Sequence, residues 1–173
     1  NRLEQTPKLT LAALNGHTVG GGLEIAMACD IRLAKKDGGK IGLPEVGLGV
    51  LPGTGGTQRL PRLIGKPRAL ELMVLGRNMS FEEAQEMGLV NSILPADTFW
   101  EDVQTYARQF VPPAKASKAV GRIKRSVQSG VEVGFQDALA LERELQQQLF
   151  ESQDAKEGLQ AYMEKRVPSF RGH

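Results

Sequence analysis

The sequence predicts an α/β fold: a spiral of short strands and helices over residues 1–110, followed by a helical region over 111–173, in one compact body. Three observations carry this. Apolar runs of strand length alternate with stretches of helical period as far as Leu94. The patterned segments beyond Leu94 are all helical. A chain of 173 residues, 40% apolar and 24% charged, can also bury a real core.

Taken in order, Lys8 to Leu14 reads as a buried strand closed by a turn at Asn15-Gly16. A helix is expected from Gly21 to Cys29 and a second strand from Ile31 to Ala34. A polar turn follows, then a third short strand from Lys40 to Gly42. From Pro44 to Gly56, five glycines and two prolines oppose regular packing, so this stretch reads as a functional loop. The apolar spacing from Leu60 to Leu75 gives two helices broken at Gly65-Lys66-Pro67. Ser80 with Glu83 forms a capping-box pattern, Gly88 a helix stop, and Val90 to Leu94 a last strand. Thr98 with Glu101 opens a helix that Pro112-Pro113 must end. Helices are then expected from Ala114 to Gly130, from Val133 to about Glu151, and onward from a capping box at Asp154 and Glu157.

Composition excludes several classes. No apolar run reaches the roughly 20 residues of a membrane-spanning helix, and no signal-peptide pattern opens the chain. A net charge of +2 gives no broad field for nucleic acid. Lys115, Lys118, Arg122, Lys124 and Arg125 cluster, and read either as a solvated helix face or as a binding patch. The single cysteine, Cys29, cannot form an internal disulfide. His17 and His173 provide no zinc-ligand spacing, so no metal is expected, and His17 reads as a packing residue.

The chemistry concentrates in two glycine runs. Gly20-Gly21-Gly22 precedes a helical pattern and allows either close approach to an oxyanion or tight packing of helix on strand. Gly53-Thr54-Gly55-Gly56 is a second such device. Known phosphate motifs do not fit: Gly65-Lys66 is followed by Pro67 where a P-loop needs Ser or Thr, and Gly47, Gly49 and Gly53 miss the dinucleotide spacing. Each run has a nearby carboxylate, Glu24 and Glu45. Two acids beside preset N–H donors suit general acid–base chemistry on a developing enolate, although either acid alone reads first as a structural first-turn or loop residue.

The stretches LAALNGHTVGGGLEIAMACDIRLA, IGLPEVGLGVLPGTGGTQRLPRLIGK, FEEAQEMGLVNSIL and EGLQAYMEKRVPSFRGH resemble the enoyl-CoA hydratase (crotonase) family, in that family's order. The resemblance implies a spiral of strand-strand-helix units and a helical C-terminal region that assembles homotrimers or hexamers. It implies that Gly21 supplies one oxyanion-hole N–H to an acyl-CoA thioester. Glu24 and Glu45 match the catalytic pair, Glu24 as the base on water and Glu45 as the proton donor to the α-carbon. Gly53 matches the N–H that positions the water. Gly20, Leu43 and Pro52 are expected to contact substrate, as are Tyr162 and Lys165 in the terminal helix region. The basic residue facing the CoA is left open among Lys35, Lys36, Lys115 and Lys165.

No cofactor is implied beyond the CoA of the substrate. The expected compartment is the bacterial cytoplasm or the mitochondrial matrix. Relatives carry a substantial portion before the segment resembling Lys8 to Leu14, which supplies the second oxyanion N–H. That N-terminal part of the fold is expected to be missing here, which would slow the isolated chain. A double-bond isomerase or thioester hydrolase on the same scaffold is the first alternative, and a non-enzymatic RNA-binding or assembly module is the second.

Overall fold

A computed structural model describes residues 2–173. In chain order the elements open with α1 (Arg2–Gln5), β1 (Leu11–Leu14), β2 (Thr18–Val19), α2 (Gly21–Met27), β3 (Ile31–Lys35) and β4 (Lys40–Gly42). A 3-10 turn (Glu45–Leu48), α3 (Gly56–Ile64), α4 (Lys66–Leu75), β5 (Asn78–Ser80), α5 (Phe81–Glu86) and β6 (Ser92–Leu94) follow. The chain ends with α6 (Phe99–Arg108), α7 (Ser117–Gly130), α8 (Phe135–Phe150) and α9 (Gln153–Met163). They divide into two units. One is Thr10–Val103, and the other joins Arg2–Leu9 to Gln104–His173.

In the first unit, Asp30 sets the register of the leading strands. Its Oδ2 accepts the Thr10 N–H at 2.7 Å and the Thr10 hydroxyl at 2.8 Å, while the Thr10 carbonyl accepts the N–H groups of Asp30 and Ile31. Leu11 therefore faces Ile31, and β1 runs parallel to β3 with β6 parallel on the far side. The second sheet orders β2-β4-β5, with β2 parallel and β5 antiparallel to the central strand. Leu23, Met27, Ile41, Leu43, Leu60, Phe81 and Leu89 fill the core.

One buried cation ties β3 to the end of α2 and to Leu89. The Arg32 guanidinium, 4% exposed, donates to the carbonyls of Ala26, Cys29 and Leu89. Two of those carbonyls lie at the end of α2, where a positive charge also meets the negative end of the helix dipole. Burial lowers the Arg32 pKa from its ordinary value, partly offset by Cys29 and Asp30.

In the second unit, the Lys124 ammonium is buried and donates to the carbonyls of Leu3 and Lys8. Gly121, one turn earlier on α7, lets the Pro7 carbonyl come close, and an added Cβ would strike it. Lys124 thus leaves the basic cluster and acts as an internal strut, whereas Lys115, Lys118 and Arg125 are exposed. At the C-terminus, buried Asp154 accepts the N–H groups of Arg171 and Gly172 at 2.8 Å each, and its own N–H donates to the His173 carbonyl.

The structure corrects several sequence expectations. Ser152, not Asp154, caps α9 by accepting the Ala155 N–H at 3.1 Å, which frees Asp154 to bind the tail. Ser80 caps α5 through the Glu83 N–H as expected, yet the Glu83 carboxylate turns to Arg77 at 2.7 Å and leaves the box half made. The first strand begins at Leu11, not Lys8, and α6 stops at Arg108, short of the prolines. Helices α7 and α8 start at Ser117 and Phe135, inside the expected spans. Four short elements, α1, β2, the 3-10 turn and β5, lack the length to write a period into the sequence.

Candidate active site

The site forms where α2 begins. Gly20 adopts φ 56° and ψ −131°, which an L side chain disfavours, and turns the chain from β2 into the helix. Its N–H donates to the Gly42 carbonyl at 2.9 Å and its carbonyl accepts the Glu24 N–H at 3.1 Å. Gly20 thus spends its own polar groups on the fold. No side chain caps α2, so its leading N–H groups are left without that partner. A Cβ added at Gly21 or Gly22 would meet nothing within 4 Å, and both residues are exposed. Packing of helix on strand does not explain these two glycines; they border open space.

Glu24, one turn into α2, is only 4% exposed. Its Oε1 accepts two backbone N–H groups, Thr54 and Gly56, at 2.7 Å each. Its Oε2 accepts the Thr54 hydroxyl at 2.5 Å. Burial pushes the carboxyl pKa up. The Thr54 hydroxyl, the Gly56 and Thr54 amides and the charge of Arg59 together outweigh burial, and the pKa falls below its ordinary value of 4.5. Glu24 is held ionised inside a nearly closed wall.

Glu45 opens the 3-10 turn after Pro44. Its Oε1 lies 3.2 Å from where a Gly20 Cβ would stand, so a side chain at residue 20 would press on this carboxyl. Its Oε2 is buried and has no hydrogen-bond partner among the described residues. A buried polar oxygen without a partner costs about 1–3 kcal/mol, which is tolerated where function uses the group. The two acids therefore meet the same helix start, Glu24 from within its first turn and Glu45 against Gly20.

The loop behind them is shaped by Gly56. A Cβ there would stand 2.6 Å from the Pro52 Cβ and 3.0 Å from both Glu24 Oε1 and Leu43 Cδ1. Leu43 and Pro52 are buried around this wedge and form its wall. Gly53 is exposed, with only the Leu51 carbonyl, 3.8 Å away, near its Cβ position. The Arg59 guanidinium donates to the Thr54 carbonyl at 2.9 Å and braces the loop from α3.

Thr54 and Gly56 were not among the residues expected to carry the site. Their glycine-rich context marked a ligand-facing loop, but nothing in it signalled that its amides would face Glu24. Tyr162 and Lys165 belong to the second unit. Tyr162 is exposed on α9, and Lys165 follows that helix with φ 55°. Lys35 lines a pocket of about 200 Å³ with Asn15, Asp97, Thr98 and Trp100, and neither glutamate takes part in it.

Comparison with known proteins decides the family. The family model described as enoyl-CoA hydratase/isomerase matches residues 1–173. The chain belongs to the enoyl-CoA hydratase/isomerase family. A Bacillus subtilis (strain 168) relative named "Probable enoyl-CoA hydratase" is 43% identical over 99% of this chain and 66% of its own length. A Mycosarcoma maydis relative named "Enoyl-CoA isomerase/hydratase fer4" is also 43% identical, over 98% of this chain and 62% of its own.

The crystal structure of "Enoyl-CoA hydrates" from Geobacillus kaustophilus HTA426 superposes with a TM-score of 0.94 at 48% identity, covering 99% of this chain and 64% of that one. The spiral α/β fold of the enoyl-CoA hydratase/isomerase family is therefore the fold of this chain. The chain spans 62–66% of the length of these two curated relatives.

Proposed function

We propose that this chain carries the acid–base centre of a hydratase that adds water to a 2-trans-enoyl-CoA thioester. One observation carries the reading: a Glu24 carboxylate anchored by three hydrogen bonds and a Glu45 with an unpartnered buried oxygen meet at one helix start beside open space. The relatives' names support the same chemistry.

In this reading the Gly21 N–H receives the thioester oxygen as enolate charge develops, a contribution of about 2.7–4 kcal/mol per donor. Glu24 takes a proton from water while the water oxygen bonds to the β-carbon. The π electrons move onto the thioester as an enolate, and Glu45, entering the step protonated, delivers its proton to the α-carbon. One water is consumed, and proton exchange with solvent resets the two carboxyls. The Gly53 N–H holds the water, and Gly20, Leu43 and Pro52 set the wall behind the acyl group. Tyr162 and Lys165 are assigned to the acyl chain or CoA bound by a neighbouring subunit. The reading calls for no cofactor beyond the CoA of the substrate.

A second reading is a shift of an enoyl-CoA double bond without addition of water, carried by the Mycosarcoma maydis relative, whose name gives both activities. The two are separated by supplying 2-enoyl and 3-enoyl thioesters to the wild-type chain and to Glu24→Gln and Glu45→Gln. Hydration predicts 3-hydroxyacyl product from the 2-enoyl substrates, with each substitution cutting turnover at least about a hundredfold. Unaltered rates in both variants would remove both readings.

Exposed apolar side chains of the second unit, including Ile123, Phe135, Phe150 and Met163, fit self-association into trimers or hexamers. Sedimentation would read the state directly. Among the described residues no helix is long and apolar enough to cross a membrane, and the bacterial cytoplasm or mitochondrial matrix is the proposed compartment.

A further inference from the structure

We propose that Thr54 is a positioning residue for the reaction, its hydroxyl aiming the one carboxylate lone pair of Glu24 that remains free. The inference rests on the hydratase reading above and adds a residue to it. An ionised carboxylate offers about four acceptor positions, two on each oxygen. On Glu24 the Thr54 and Gly56 amides occupy both positions of Oε1. Oε2 receives a single donor, the Thr54 hydroxyl. Counting acceptor sites therefore assigns the proton-accepting work to Oε2, and its remaining lone pair is directed by where the hydroxyl sits.

The two kinds of donor differ in what mutation can remove. The amides belong to the backbone at the entry to α3 and survive any side-chain change at residue 54. The hydroxyl alone is lost in Thr54→Val, which keeps the branched shape. A water proton arriving at Oε2 fills the free position, so no bond to Thr54 has to break as Glu24 becomes a carboxylic acid. The charged group acting on Glu24 is Arg59 from α3, whose positive charge favours the ionised form, while the Glu45 carboxyl lies 3.2 Å from where a Cβ at Gly20, the N-cap of α2, would stand. Neither changes in the Thr54 variants.

The test is the pH profile of kcat for hydration of crotonyl-CoA by wild type, Thr54→Val, Thr54→Ser and Glu24→Gln. For Thr54→Val the plateau kcat is expected to fall about tenfold, the worth of one hydrogen bond to a charged group, with KM changed less than about twofold. Its acid limb is expected to move to higher pH, because the lost bond favoured the ionised form. Thr54→Ser is expected to restore both. A Thr54→Val enzyme with the wild-type plateau and limb overturns the proposal. So does a Thr54→Ser enzyme that fails as Thr54→Val does, since a residue needed only for its shape or packing would behave that way. Activity surviving in Glu24→Gln fails differently: it removes the hydratase reading itself.

Discussion

Gly56 illustrates how much of the site hangs on a single missing side chain. Its hydrogen sits where a methyl group would press on Pro52, Leu43 and the Glu24 carboxylate at once. Gly56→Ala is therefore expected to cost about 1–3 kcal/mol of stability through overpacking and to move the Glu24 anchor. Chemical denaturation together with hydration kinetics checks this, and an alanine variant with wild-type stability and rate would contradict it. The same scale separates what could be read in the sequence from what could not. Glu24 and Glu45 stood out as carboxylates beside glycine runs, and the structure brings both to the start of α2. Thr54 did not stand out, because its role depends on contact across 30 positions of chain with Glu24. No local pattern encodes such a contact.

Among the elements, α2 depends on both of its ends. The start has no side-chain cap, and the finish is held by the Arg32 guanidinium on the Ala26 and Cys29 carbonyls. Arg32→Met keeps an apolar stem but removes the side-chain donor from the Cys29 and Leu89 carbonyls, while the Ala26 carbonyl keeps the Cys29 N–H. A loss of about 1–3 kcal/mol is expected for an unsatisfied buried polar group, read as a lower denaturation midpoint. An unchanged midpoint would show that α2 is held by packing alone. Elements long enough to repeat an apolar period, such as α3, α4 and α8, were legible within a few residues. The two-residue β2 and three-residue β5 were not, since they exist through pairing with β4 and carry too few side chains to show alternation. The α9 start was misread for a related reason. Asp154 has a capping side chain, but the last residues of the tail claim it, leaving Ser152 to cap.

For the whole molecule, the sequence order of motifs was enough to predict the spiral fold, and the family match confirms it. The arrangement of the C-terminal tail was not legible, because it is held by charge contacts between α9 and residues beyond it. Glu157 accepts from the two terminal Arg166 nitrogens, at 2.6 and 2.9 Å, and from the Ser169 N–H at 2.9 Å. These bonds, the Arg166 pair above all, lower its pKa from 4.5 to about 2. A carboxyl with a depressed folded-state pKa contributes fully above its unfolded value and loses that contribution as pH falls through the folded one. Protection of the Ser169 amide from hydrogen exchange, corrected for intrinsic rates, is expected to hold above about pH 4.5 and to fade toward pH 2. In Glu157→Gln this pH dependence should vanish. Persistence of the same transition in that variant would assign it to another group.

The most direct measurement is a crystal structure of the chain with a saturated acyl-CoA, which can bind but cannot take up water. The account predicts the thioester oxygen at about 2.7–3.1 Å from the Gly21 nitrogen, with the Glu24 carboxyl on the side of the β-carbon and the Glu45 carboxyl facing the α-carbon. A thioester bound away from the start of α2, or one that turns its carbonyl from Gly21, would contradict it.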